Sequence, residues 1–101
     1  MRRQKVKVTW LAPEAGGRSA RPTGESYATI ARFPEDGPEW PDGAWTVVLD
    51  FETPPSAQGN VSFGTARFLM PEAPQHRLRP GGSFQLHEGL RKVATVDLLG
   101  E

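Results

Sequence analysis

Residues 78–98 constrain the fold more tightly than any other stretch. A turn, Arg79-Pro80-Gly81-Gly82, leads into the short alternating run Ser83–His87. Glu88-Gly89 then reverses the chain, and Lys92–Leu98 continues as a second extended segment. Glycine and proline punctuate, while Phe84, Val93, Thr95 and Val96 fill the runs between them. That is the pattern of a β-hairpin.

Four upstream runs supply further strands. Lys5-Val6-Lys7-Val8-Thr9-Trp10-Leu11 alternates strictly. Val6, Val8 and Trp10 face one way and Lys5, Lys7 and Thr9 the other, as in a half-buried strand. Ser26–Phe33 is the second run, and its pattern does not say which side is buried. Pro34 ends it, because proline has no N–H for a ladder. Trp45–Phe51 is the most hydrophobic run. Val61–Leu69 is the fourth, and Gly64 inside it predicts a bulge or a tight barrel bend. The Pro- and Gly-rich segments between these runs read as loops.

No helical period occurs anywhere. The chain has 101 residues, 37 % of them hydrophobic, with 11 Gly and 10 Pro. Three Trp and five Phe supply a core, so the composition is not that of a disordered chain. Six strands of this size lack apolar area unless their edges are closed. The expected fold is all-β: one domain over 1–101, a small closed six-stranded antiparallel barrel of Greek-key type.

Cysteine is absent, which excludes disulfides, thiolate metal sites and thiol nucleophiles. No apolar run approaches the ~18 residues of a membrane span. Met1-Arg2-Arg3 is basic, but no signal-peptide core follows it, so a cytoplasmic location is expected. The formal net charge is zero, which argues against strong non-specific nucleic-acid binding. The distribution is uneven. Glu35, Asp36, Glu39, Asp42, Asp50 and Glu52 fall between Pro34 and Ala66, with no Lys or Arg among them.

The candidates for chemistry are few. His76 and His87 read as surface side chains, with too few further ligands for a metal. The serines lack a recognisable His and Asp partner pattern, so no hydrolase is expected. The acids of 35–52 lack the spacing of a calcium loop. No phosphate-binding loop is present, so no nucleotide and no cofactor are expected. Trp40 lies in a loop between Pro38 and Pro41, ringed by Glu39 and Asp42. It is either tucked back as a lid or exposed as the anchor of a partner-binding surface. Arg18 and Arg91 sit in turns, where each either contacts an RNA phosphate or other anion or pairs with Glu or loop carbonyls.

Three pieces, in order, resemble the C-terminal β-barrel (domain 3) of the translational GTPase elongation factor Tu. Ala15-Gly16-Gly17-Arg18, with Tyr27 opening the next strand, is similar to that family's Glu-Gly-Gly-Arg loop and Gly-Tyr strand start. Phe68-Leu69-Met70-Pro71-Glu72 resembles its Met-Pro-Gly-Asp strand end. Phe84-Gln85-Leu86-His87-Glu88-Gly89-Leu90-Arg91 resembles its closing Phe-Ala-Ile-Arg-Glu-Gly-Gly-Arg hairpin. The resemblance covers about Val6 to Leu98 and implies the barrel fold without a GTPase domain. The family's Arg-Pro-Gln-Phe run, part of its tRNA-facing surface, is absent; Ala28-Thr29-Ile30-Ala31 stand there.

The resulting expectation is a stand-alone, non-enzymatic barrel acting as a protein-interaction module. An RNA- or tRNA-associated accessory domain, binding only weakly, is the alternative. A toxin-neutralising immunity protein is a third.

Overall fold

The computed structural model describes residues 3–12, 14, 17 and 22–100. Six strands are present: β1 (Gln4–Trp10), β2 (Ser26–Arg32), β3 (Trp45–Asp50), β4 (Val61–Phe68), β5 (Ser83–Glu88) and β6 (Arg91–Leu98). They form a closed ring in the order β1-β4-β3-β2-β5-β6, with β6 pairing back onto β1. Every pairing is antiparallel. The all-β closed barrel expected from alternation is thus the observed fold. Two short 3-10 turns, Pro55–Ala57 and Gln75–Arg77, lie between strands.

The ring order places β1 opposite β2 and β4 opposite β5. The β4–β5 connection therefore spans an end of the barrel. At one end the chain before β2 meets the β3–β4 loop, where Ser56 N–H donates to the Pro22 carbonyl at 3.0 Å. At the other end the β4–β5 connection buries Leu78 and Ala73 in the core. Phe33 packs there against Phe84 and Phe68, with ring centroids 4.7 and 5.6 Å apart.

Val6, Val8 and Trp10 all point inwards. Opposite them, β4 turns only small residues to the interior over its first half. The Trp10 indole N–H donates to the buried Ser62 Oγ at 2.9 Å. Gly64 makes room for the end of β3: a Cβ there would lie 2.3 Å from the Asp50 carbonyl oxygen and 2.9 Å from a Phe51 ring carbon. The pairing of β4 with β1 runs through Gly64 without a register shift, so no bulge forms there.

The bulge lies elsewhere, between β5 and β6. Leu86 pairs with Ala94, but His87 pairs with Lys92, leaving Val93 as an extra residue. Val93 and Ala94 are both buried. Strict alternation from Ala94 would send Lys92 into the core; the extra residue turns it to the outer face. Bulges redirect side chains in this way.

Candidate functional site

The 33–44 loop folds back onto the outer wall of the barrel at β2 and β5. Short turns hold it, with Trp40 N–H donating to Gly37 O and Asp42 N–H to Glu39 O, at 3.1 and 2.9 Å. Trp40 is half-buried. Its indole N–H donates to the Ala31 carbonyl at 3.0 Å, and the Arg32 guanidinium lies 5.3 Å from its ring centre. Trp40 is therefore a lid over the outer wall, and the residue it covers is His87. Glu39 and Asp42 are exposed on the same loop.

His87 was expected at the surface, and this is corrected: it is only 6 % exposed. It faces outwards from the barrel, yet the Trp40 ring closes over it. No sequence pattern signals that contact, because it depends on a loop returning to a distant strand. His87 Nε2 lies 3.1 Å from Gln85 Oε1, and its Nδ1 has no hydrogen-bond partner among the described residues. Burial pushes the imidazole below its ordinary value, and the charges of Arg32 and Lys92 act in the same direction. A backbone interaction with Leu90 opposes them. A neutral imidazole that donates from Nε2 to Gln85 fits these surroundings.

The acids of the 35–52 stretch divide into two sets. Asp36 pairs with Arg77 at 3.3 Å and accepts the Phe33 N–H at 2.8 Å. Glu35 pairs with Arg79 at 3.2 Å, and Asp50 is shared by Arg3 and Arg67 at 3.6 and 3.4 Å. Slight burial raises the Glu35 pKa, but a backbone hydrogen bond and Arg79 outweigh it and hold the carboxyl below its ordinary value. Glu39, Asp42 and Glu52 have no ion-pair partner among the described residues.

Arg91 pairs with Glu88 at 3.2 Å, and Glu88 also accepts the Tyr27 hydroxyl at 2.5 Å. Arg91 is thereby tied into its own hairpin. Arg18 lies outside the described residues; its neighbour Gly17 is buried, with its N–H donating to the Ala12 carbonyl at 3.0 Å. The structure thus keeps Trp40, Glu39 and Asp42 together on one loop and places Arg91 on a separate hairpin.

Sequence reasoning missed Phe63. It lies on the outer face of β4, 56 % exposed, because Ser62, Gly64 and Ala66 take the inward positions. The run of small residues at those positions was the available signal. Around Phe63 is an open groove of about 570 Å³, lined also by Lys5, Glu52, Thr53, Gln58 and Leu99.

The groove exists because β3 pairs with β4 only from Val47↔Phe68 to Asp50↔Thr65. Val61–Gly64 have no strand on that side. The Gln58 side chain stands in for one: its Oε1 accepts the Phe63 N–H at 3.0 Å, and its amide donates to the Thr53 carbonyl at 2.5 Å.

Among the described residues no three His, Asp or Glu side chains gather as metal ligands. No helix there is long and apolar enough to cross a membrane. No protein-family model matches the chain, and no curated protein matches it.

Proposed function

We propose that this chain is a non-catalytic protein-binding module, similar in architecture to the C-terminal barrel of elongation factor Tu, that takes an extended segment of its partner beside β4. The supporting observation is Phe63, a large aromatic exposed at a sheet edge whose backbone N–H is held by a side chain instead of a strand. Interfaces draw their energy from such aromatic anchors. An extended segment adds to an open edge through main-chain hydrogen bonds, and its alternate side chains fill the adjoining groove. The RNA-associated alternative has less support, because the Arg91 charge is already met by Glu88.

The chain has no cysteine, so one introduced residue carries a unique label. A photo-cross-linker on Thr53→Cys, at the groove, is expected to capture a discrete partner from the native cell extract. The same label on Asp97→Cys, on β6, is expected not to. Phe63→Ser, made in the Thr53→Cys background, is expected to abolish the adduct while leaving the melting temperature within a few degrees. Equal capture from both positions, or capture indifferent to Phe63→Ser, would refute the groove.

A further inference from the structure

We infer that a second groove, between Arg32 and Lys92 on the outer face of β2, β5 and β6, binds a small phosphate-bearing molecule.

Register builds this groove. Arg32 is directly opposite Gln85, and Gln85 is opposite Thr95, so the three form one row across β2, β5 and β6. Lys92 joins them only because the Val93 bulge turns it outwards. Ser83 adds a hydroxyl, and Pro34 and Phe33 close one side of a cavity of about 380 Å³.

The charges in the groove are uncompensated. Neither Arg32 nor Lys92 has an acidic partner among the described residues. The one acid in the lining, Asp36, is already held by Arg77 and by the Phe33 N–H. Asp97, opposite Ser83, is not part of the lining. Two cations left facing one cavity repel each other, and an anion between them removes the repulsion.

Neutral donors complete the site. The His87 imidazole engages Gln85 Oε1, and the Gln85 amide N–H group has no hydrogen-bond partner among the described residues. The pKa of His87 is lowered chiefly by burial, and the charges of Arg32 and Lys92 add to it in the same direction. A guanidinium, an ammonium, an amide N–H group and two hydroxyls, all able to donate, line the cavity. A tetrahedral oxyanion, with several acceptor oxygens and up to two charges, uses such a set more fully than a carboxylate does. This inference does not rest on the Phe63 groove, which lies on β4.

The test is a titration of inorganic phosphate into the ¹⁵N-labelled full chain at neutral pH, with sodium chloride at matched ionic strength as control. Saturable shifts are expected at the amides of Arg32, Ser83, Gln85, Lys92 and Thr95, and not with chloride. Lys92→Gln removes one charge-assisted bond and is expected to weaken binding about tenfold. It should leave the melting temperature unchanged, because Lys92 has no ion-pair partner among the described residues to lose. A linear response, a matching chloride response, or unaltered binding in Lys92→Gln would overturn the site. A second arm compares glycerol phosphate with a short single-stranded RNA. Glycerol phosphate at least as tight as inorganic phosphate supports a small-molecule ligand. RNA binding more tightly through the same amides overturns it.

Discussion

The Trp40 indole stands edge-on against the His87 imidazole, with ring centroids 4.5 Å apart and planes at 62°. This one contact seals a polar ring on the outside of a barrel. It also ties the 33–44 loop to β5, which the loop does not otherwise adjoin in sequence.

Trp40→Ala is expected to destabilise the fold by about 2–3 kcal/mol. The value lies below the usual ~3–5 kcal/mol for a large buried aromatic because the ring is half-buried. The loss combines the indole–Ala31 hydrogen bond, the Arg32 stack and the cover over His87. A urea melt of the variant measures it. An unchanged midpoint would return Trp40 to the role of a free docking anchor, with Glu39 and Asp42 as its acidic rim.

Acid should loosen the protein through His87. Its folded pKa is lowered, chiefly by burial and further by Arg32 and Lys92, from an ordinary value of 6.5. The unfolded chain therefore takes up this proton first as the pH falls. Stability is full above the unfolded value, falls as the pH drops through it, and stops falling below the folded value. Melting temperatures between about pH 7.5 and pH 5 are expected to fall more steeply for the wild type than for His87→Gln. Parallel curves would show that His87 does not contribute.

Ser62→Ala removes the acceptor that the buried Trp10 indole N–H has among the described residues. An unsatisfied buried donor costs about 1–3 kcal/mol. The expected result is a loss in that range by chemical denaturation. A change below about 0.5 kcal/mol, the level of an ordinary surface substitution, would show that the bond adds nothing.

Gly64→Ala places a methyl group against the backbone of Asp50, which cannot turn aside as a flexible side chain can. Overpacking of this kind costs about 1–3 kcal/mol or more. Gly100→Ala is the control, since nothing lies within 4 Å of the added carbon. Equal melting temperatures for the two variants would contradict the close approach of β3 and β4.

The strands were legible because alternation records a half-buried sheet directly. Val6, Val8 and Trp10 are buried as read, and all six runs became strands. The inner face of β2 was not legible. Tyr27 and Thr29 lie beyond its short pairing with β5 and are only half-buried, so their side carries a weak apolar signal. The bulge was sought at glycine, yet it formed at Val93, where hairpin geometry and core filling decide the register. His87 was misplaced because its cover comes from a separate loop. Phe63 escaped notice because an aromatic in a strand reads as core, whereas the bulk of Trp10 and Phe51 had already claimed that side. For His87 and Phe63 a neighbour distant in sequence decided the outcome, and for Val93 the geometry of its own hairpin did.

The ring order has a consequence during synthesis. β1 is made first among the strands, but its two neighbours are β4 and β6. No partner for Val6, Val8 and Trp10 exists until Val61–Phe68 has been made, and the second side stays open until Arg91–Leu98 follows. Long-range pairing of this kind is slow, and an unpaired apolar strand is prone to join other chains in the interval. Lys5 and Lys7 alternate with those apolar residues, and charges placed so discourage strand-to-strand association. On the ribosome they are expected to guard the waiting strand, a duty that ends once the last strand closes the ring.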